Sequence, residues 1–351
     1  MDLDLLAKAV VAMAPVLALL LVFDRLDVFN LIKFRMIAVL LLIGGGLAAV
    51  SFFANWRVMD GFPIGFSNHS RYVAPAIEEA LKAIPLVILF AGNRLGFKLD
   101  AAIAGFAVGA GFSMVENGWY LSAYADANLS AWLVRGFGTA VMHGGATALF
   151  AVIAHEMTEN QAEGKAAHYR FNLALFVPAL LAAMILHSMF NHFPDRPLLV
   201  MALTLLIVPV SLFLILARSE RATHQWLKED FVSHQQALKD IREGRFADSE
   251  AGRAIRDLTR RFRGATSELA FSYVELKTEL VLRAEELILA RQQGDAADVT
   301  DKDRENFERL DELKRRLGQP VLAAFTPYLG FSRNDLWELE QLRSRVWGGG
   351  R

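Results

Sequence analysis

The sequence contains no cysteine, and several other common features are also missing. Without cysteine the chain forms no disulfide bond and no thiolate metal site, which leaves its cellular compartment open. Basic and acidic residues number 37 and 38, so no excess of positive charge indicates binding to nucleic acid. The N-terminal apolar run lacks a small-residue cleavage pattern, so we interpret it as a retained membrane helix rather than a signal peptide.

Charged residues are scarce in the first 217 residues. This part contains 13 Lys and Arg and 14 Asp and Glu, whereas residues 218–351 contain 24 of each kind. The contrast predicts a transmembrane domain over 1–217 and a soluble, cytoplasmic α-helical domain over 218–351. The expected fold class is all-α, with a polytopic membrane bundle of about seven transmembrane helices followed by a soluble α-helical hairpin domain.

Seven apolar stretches approach or exceed the roughly 20 residues that a helix needs to cross the hydrocarbon core. They are 5–23, 36–55, 75–95, 101–122, 133–154, 171–193 and 197–217. Nine basic residues near the ends of these stretches fall on one side of the membrane: Arg25, Lys33, Arg35, Arg94, Lys98, Lys165, Arg170, Arg218 and Arg221. Five fall on the other: Lys8, Arg57, Arg71, Arg135 and Arg196. The positive-inside rule then predicts a multi-pass protein of the cell (inner) membrane with its N-terminus outside and its C-terminal domain in the cytoplasm.

The last third of the chain has the pattern of amphipathic helices. Apolar residues at steps of mostly three and four run through 247–293 and predict one long helix. A break from Gly294 and a second helix that stops at Gly318 complete a predicted antiparallel hairpin. A short last helix is expected over 332–346. We find no catalytic motif here, and expect a solvated structural module or one that binds a cytoplasmic protein partner.

Four of the predicted membrane helices carry ionisable side chains within, or at the mouth of, their apolar stretches. At such a depth an ionisable side chain costs on the order of 3 kcal/mol or more, so it usually has a partner and a function. The polar groups are Glu78, Glu79 and Lys82; Glu116 with Asn117; His143 with Thr147; and His187 with Asn191. Under the predicted topology they lie roughly 5–15 Å below the outer surface, at about 1.5 Å rise per residue. We therefore expect a single site in the bundle interior.

The first of these groups contains two neighbouring carboxylates that we expect to have different roles. Glu78 and Lys82 are four residues apart with the glutamate first, which is the better orientation for an ion pair on one helix face. Glu79 points about 100° away from Glu78. We expect one carboxylate to be neutralised by Lys82 and the other to be free to act on water. The sequence does not say which of the two is the base.

One local match is rejected. The segment His155-Glu156-Met157-Thr158-Glu159 resembles the zincin helix motif, but Glu159 stands where the second histidine should be. The segment also falls at the cytoplasmic end of the fifth span, away from the other groups. We interpret it as a coincidence.

Taken in order, the buried residues resemble the PrsW family of intramembrane proteases, which is distantly related to the CAAX prenyl protease/bacteriocin-processing group. The marks of that family are E-E-x-x-K, F-x-x-x-E, a single His and H-x-x-x-N/D on successive membrane helices. Here they stand as Glu78-Glu79-x-x-Lys82, Phe112-x-x-x-Glu116, His143 and His187-x-x-x-Asn191. The resemblance covers residues 70–195 and implies hydrolysis of peptide bonds in membrane-anchored protein substrates. Family members are linked to regulated cleavage of anti-sigma factors.

Two mechanisms are compatible with this resemblance. In a glutamate mechanism, Glu78 or Glu79 deprotonates water, His187 with Asn191 stabilises the oxyanion, and no cofactor is needed. In a metal mechanism, a zinc ion is bound by His143, His187 and Glu116 with an open position for water, and Glu79 is the base.

The main alternative from another functional class is a non-enzymatic seven-helix sensor or a proton-coupled transporter that uses the buried Glu and His residues as a relay. A transporter would be expected to show internal repeats, and we find no convincing one. A catalytically inactive scaffold is a third alternative. The retention of buried charges that are costly in a membrane argues against it.

Overall fold

The computed structural model describes residues 3–26, 34–163, 171–262, 266–292 and 298–348. Over these residues the chain forms helices and no strand, which confirms the predicted all-α fold class. The described residues form two compact units. The first extends to Thr158 and resumes from Phe171 to Ser219, and the second contains residues 159–163 and the described residues from Glu220 onward.

The first unit is built from long helices that follow the predicted spans. They are α1 (Leu3–Leu26), α2 (Phe34–Gly61), α3 (Ala74–Ala91), α4 (Lys98–Ala123), α5 (Ala140–Glu163), α6 (Val177–Asn191) and the first part of α7 (Pro197–Arg242). Short helical segments precede three of them: Phe66–Asn68 and a π-helical turn at His69–Val73 before α3, Leu129–Leu133 and a π-helical turn at Val134–Thr139 before α5, and a 3₁₀ turn at Leu173–Phe176 before α6.

Among the described residues, six helical stretches are long and apolar enough to cross a membrane, which makes this a multi-pass membrane protein. They are Leu3–Val22, Phe34–Gly61, Lys98–Ala123, Leu129–Glu159, Leu173–Asn191 and Pro197–Ile215. Helix α3, counted above as the third of seven spans, is present with 18 residues but is not among the six. It differs from them because Glu78, Glu79 and Lys82 interrupt its apolar sequence.

Helix α4 lies at the centre of the first unit, and glycine residues allow its neighbours to approach it closely. From Asp100 to Ser113 every residue of α4 is buried. A methyl group on Gly109 would collide with the carbonyl oxygen of His143, and one on Gly44 of α2 would collide with that of Val108. In lipid, small residues permit such backbone contacts. These glycines therefore hold α4 and α5 close enough for their polar side chains to meet.

The second unit contains the end of α7, followed by α8 (Glu250–Thr259), α9 (Ser267–Gln292), α10 (Asp301–Leu317), α11 (Gln319–Phe325) and α12 (Arg333–Gly348), with 3₁₀ turns at Arg245–Asp248 and Thr326–Tyr328. Helix α9 packs on α10, as the predicted hairpin requires, and also on α12. Gly318 ends α10 with φ at 78°, a conformation that favours glycine. The buried apolar core includes Ile255, Leu280 and Phe307.

The single long helix predicted over 247–293 is wrong, because α8 ends at Thr259 and α9 begins at Ser267. The hydroxyl of Thr266 accepts a hydrogen bond from the N–H of Leu269 and so caps the start of α9. Both helices contribute to one apolar core, so the apolar spacing continues through the break. Periodicity alone therefore did not reveal the interruption.

Lys277 of α9 is an unusual core residue, since only 7 % of it is exposed. Its ammonium group lies 4.4 Å from the centre of the Phe331 ring. Burial and the neighbouring charge of Lys314 lower the pKa of Lys277 to about 8, against the opposing attraction of Asp335.

Some residues used above fall outside the described part of the chain. Lys33, Lys165, Arg170 and Gly294 are among them, and nothing is described of the side chains of Arg25, Arg218 and Arg221. The orientation in the membrane stays a prediction.

Candidate active site

Helix α3 carries a buried ion pair. The Nζ atom of Lys82 lies 2.6 Å from Oε1 of Glu79, and these residues are 0 % and 2 % exposed. The predicted pairing of Lys82 with Glu78 is therefore wrong. Glu79 and Lys82 both face the bundle interior, whereas the Oε1 atom of Glu78 accepts a hydrogen bond from the Nδ2 atom of Asn55 on α2 at 3.2 Å. An ammonium group buried in the interior needs the carboxylate that is buried with it.

His187 of α6 lies between the two glutamates. Its Nδ1 atom is 2.8 Å from Oε1 of Glu79, and its Nε2 atom is 3.9 Å from Oε2 of Glu78. An ionised carboxylate only accepts hydrogen bonds. We therefore infer that Nδ1 carries the proton and donates a hydrogen bond to Glu79. The lone pair of Nε2 is then available on the side of Glu78. A carboxylate that fixes the tautomer of a histidine in this way is common where the other nitrogen binds a metal or a proton.

His143 of α5 is held at both ring nitrogens. The Nζ atom of Lys82 lies 3.0 Å from Nδ1, and Oε2 of Glu116 lies 2.8 Å from Nε2. An ammonium group has no acceptor, so Nδ1 accepts from Lys82, and Nε2 donates to Glu116. The rings of His143 and His187 meet edge to face, with centroids 4.8 Å apart. The ring of Phe112, one turn before Glu116, packs 5.1 Å from that of His143.

Arg135 is also a member of the site. From the sequence it was expected only to be a basic residue near the membrane surface. Its Nη2 atom lies 3.2 Å from Oε1 of Glu116, and its Nε atom donates to Oδ1 of Asn117 at 2.9 Å. Its guanidinium group also stacks over the Tyr120 ring at 3.6 Å. A glutamate inside a membrane span requires a cation at similar depth, and Arg135 near the start of the next span was a candidate on that ground.

Asn191 and Thr147 are placed differently from the other predicted residues. Asn191 donates from Nδ2 to the carbonyl oxygen of Ser70 at 2.8 Å, which joins the end of α6 to the π-helical turn before α3. The hydroxyl of Thr147 donates to the carbonyl oxygen of His143 at 2.9 Å. His155, from the rejected motif, lies three helical turns beyond His143, where its Nε2 atom contacts the carbonyl oxygen of Gly96 at 2.9 Å.

Three residues of the site have the donor atoms of a metal centre. One ligand atom from each of Glu78, His143 and His187 can be chosen so that all lie within 4.8 Å of one another. This set differs from the predicted one, because Glu78 stands in place of Glu116, which contacts His143 and Arg135 instead. Two imidazoles and a carboxylate form a common donor set of catalytic zinc sites.

The described geometry fits a zinc ion with one adjustment. Neighbouring ligands of a tetrahedral zinc ion lie about 3.4 Å apart, which is close to the 3.9 Å between Oε2 of Glu78 and Nε2 of His187. His143 would have to release Lys82 or Glu116 to become the third ligand, since both of its nitrogens are engaged.

Comparison with known families gives a match over residues 33–217 to the family described as PrsW family intramembrane metalloprotease. The match covers more than half of the chain. The chain belongs to this family. As a PrsW family member it is an intramembrane protease, and the resemblance drawn from its motifs is confirmed. No curated protein and no solved structure matches the chain.

All the site residues described above fall within the PrsW match. Asn117 also reaches outside it, since its Nδ2 atom donates to the carbonyl oxygen of Ala12 on α1 at 2.9 Å. The match ends at residue 217, so it does not reach the second unit. The family therefore accounts for the polar cluster of the first unit and gives no function for the second.

Proposed function

We propose that Glu78, His143 and His187 form the hydrolytic centre of this protease, which cleaves membrane-anchored protein substrates. The observation that carries the proposal is the convergence of two imidazoles and a carboxylate, from α3, α5 and α6, within 4.8 Å. Both histidines are at most 3 % exposed, so the reaction would take place away from bulk water.

The other charged residues position this centre. Glu79 accepts a hydrogen bond from the Nδ1–H group of His187 and so directs Nε2 toward Glu78. Glu116, held by Arg135, orients His143 in the same way from the opposite side. Groups that orient a ligand or a base through a hydrogen bond typically contribute 10- to 100-fold in metal affinity or activity.

A zinc ion is the metal that this donor set fits, and Glu78, His143 and His187 would hold it. When bound, it would supply Lewis acidity toward the scissile carbonyl and the attacking water. In this mechanism Glu79 and Lys82 remain outside the donor set. Their role is to fix His187 and to balance the buried charge.

A metal-free mechanism is favoured by one specific contact, the 3.0 Å hydrogen bond from Lys82 to Nδ1 of His143. It occupies a nitrogen that a metal could otherwise use. In that mechanism Glu78 takes the proton of the attacking water. Lys82 has three N–H groups, of which Glu79 and His143 account for two, so the third would stabilise the oxyanion.

The test is cleavage and metal content of the full-length protein purified in detergent, with a membrane-anchored reporter peptide as substrate. We expect Glu78→Gln to abolish cleavage, because it removes the carboxylate of the proposed centre. The protein should still fold, because the Glu79–Lys82 pair is left intact. Glu156→Gln and His192→Ala are matched controls and should cleave normally. Near-stoichiometric zinc that is lost in the His143→Ala/His187→Ala variant would establish the metal mechanism. Metal-free protein that resists chelators and still cleaves would establish the glutamate mechanism, and normal cleavage by Glu78→Gln would refute the assignment of the site.

We also propose, from the loop charges and with α3 as a seventh crossing of the membrane, that the N-terminus is outside and the second unit is in the cytoplasm. The absence of cysteine makes this easy to test with single cysteines. A cysteine at Asp126 in intact cells should react with a membrane-impermeant maleimide, and one at Glu243 should react only after lysis. The reverse result would invert the topology and place the site near the cytoplasmic face.

We further propose that the membrane-anchored substrate is a regulatory protein such as an anti-sigma factor. Cells that carry the Glu78→Gln variant should accumulate the uncut substrate, which identifies it.

A further inference from the structure

A second cluster of ionisable side chains lies wholly within the soluble unit, and the proteolytic site does not use it. Helix α7 contributes Asp230 and His234, α9 contributes Glu285, and α12 contributes Asp335 and Glu338. One ligand atom from each of the first four residues can be chosen so that all lie within 4.8 Å of one another. The cluster thus joins three helices that are far apart in the sequence.

His234 is at the centre of the cluster. Its Nδ1 atom lies 2.7 Å from Oε1 of Glu285, and its Nε2 atom lies 3.5 Å from Oδ2 of Asp335. Both carboxylates are almost fully buried, with exposed fractions of 0 % for Glu285 and 1 % for Asp335. Asp230 and His234 are four residues apart and therefore lie on one face of α7.

Glu338 gives an independent indication that a ligand belongs here. It is 1 % exposed, and neither of its carboxylate oxygens has a hydrogen-bond partner among the described residues. It lies three residues after Asp335, on the same face of α12, and interacts electrostatically with Asp230, Glu285 and His234. Burying a carboxylate without a partner costs free energy, because it loses its hydrogen bonds to water and forms none in the protein.

The charges of the cluster are also unbalanced. Four carboxylates face one imidazole, and one oxygen each of Asp230, Glu285 and Asp335 has no hydrogen-bond partner in the described part of the chain. Lys277 attracts Asp335, but its ammonium group lies over the Phe331 ring. A divalent cation would balance these charges in place of protons.

We propose that Asp230, His234, Glu285, Asp335 and Glu338 form a binding site for a divalent transition-metal cation in the soluble unit. Carboxylates with one imidazole are the donors preferred by Mn²⁺ and Fe²⁺, and they also bind Zn²⁺. The imidazole disfavours Ca²⁺ and Mg²⁺, which take oxygen ligands. The bound cation holds α7, α9 and α12 together. The site goes beyond the proteolytic function and does not depend on it.

The first experiment uses the full-length His143→Ala/His187→Ala variant, so that metal in the membrane unit does not contribute. After chelation, the protein is dialysed with Mn²⁺ and then against metal-free buffer, and its metal content and melting temperature are measured. We expect about one Mn²⁺ per chain and a rise of the melting temperature by several degrees, because a ligand that binds only the folded state stabilises it.

The matched variants carry two further substitutions each. Glu285→Gln/Glu338→Gln should lose the bound Mn²⁺ and the temperature rise. Glu286→Gln/Glu340→Gln, which changes exposed carboxylates on the same helices, should keep both. The metal-free Glu285→Gln/Glu338→Gln variant should melt no lower than its metal-free parent, because it has lost buried repulsion. Absence of bound Mn²⁺ from the parent, and of Fe²⁺ and Zn²⁺ when either replaces Mn²⁺ in the dialysis, would overturn the proposal and leave the cluster as carboxyl groups that share protons.

A spectroscopic measurement on the parent tests the same site directly. Electron spin echo modulation of Mn²⁺ bound to the parent should show coupling to a single imidazole nitrogen. His234→Gln should remove that coupling, whereas a signal without nitrogen coupling in the parent would place the ion elsewhere. Because the proteolytic histidines are absent from this background, the result is independent of the proposed hydrolytic centre.

Discussion

Replacing Glu79 by glutamine would separate the structural and the catalytic contributions of the buried ion pair. The substitution keeps the shape of the side chain but leaves the ammonium group of Lys82, which is 0 % exposed, without its carboxylate at 2.6 Å. Breaking a buried pair by removing one partner typically lowers the free energy of unfolding by about 3 to 5 kcal/mol. For a unit of this size that corresponds to a fall in melting temperature of about 10 °C.

The double variant Glu79→Gln/Lys82→Met should melt close to the wild type, because no charge is left unpaired in the interior. Both variants should cleave the reporter peptide about 10- to 100-fold more slowly or worse, since in both His187 has lost the carboxylate that orients it. Recovery of stability without recovery of cleavage is the result that shows that the Glu79–Lys82 pair serves the reaction as well as the balance of buried charge.

The assay is a double-mutant cycle on thermal melting in detergent, together with cleavage of the reporter. The chain offers a matched control in Lys98 and Glu156, whose ion pair has the same 2.6 Å length but side chains that are 21 % and 49 % exposed. The coupling energy of that control pair should stay below about 1 kcal/mol. If the coupling energy between Glu79 and Lys82 is no larger than this, our reasoning about the buried pair is refuted.

Three further predictions follow from other contacts. Gly109→Ala should lower the melting temperature and cleavage, because its methyl group would meet the backbone of α5, whereas Gly46→Ala, with open space around it, should be neutral or slightly stabilising in the same assays. Arg135→Ala should lower kcat about 10- to 100-fold in a steady-state cleavage assay, while Arg57→Ala should not. Lys277→Met should raise the free energy of unfolding of the soluble unit at pH 7 by at most about 3 kcal/mol. The pKa of Lys277 in the folded protein, about 8, is below its ordinary 10.5. Wild-type stability therefore rises between these values, and the advantage of the variant should shrink as the pH approaches 10 in thermal melts.

The sequence by itself determined the class of this protein. Apolar length and the distribution of charge are properties of local stretches, so they distinguish the membrane unit from the soluble one without tertiary information. The order of Glu78-Glu79-x-x-Lys82, the phenylalanine and Glu116, His143 and His187 along the chain was enough to indicate the family, which the family match confirms. Spacing within one helix also placed Phe112 and Glu116 on a common face, where the structure has them.

Only the tertiary structure decided which groups meet. Helical spacing favoured Glu78 as the partner of Lys82, and the packing of α3 against its neighbours selected Glu79 instead. Ligand atoms of Glu78, His143 and His187 lie within 4.8 Å of one another, whereas Glu116 contacts His143 and Arg135, from the turn before α5.

The cluster around His234 was not foreseen, since its five residues are spread over more than 100 positions of a mixed-charge sequence that reads as solvated helices. A sequence fixes which side chains a helix carries and on which face they lie. Which faces meet is set by the packing of helices far apart in the chain, and the burial of a charge depends on that packing.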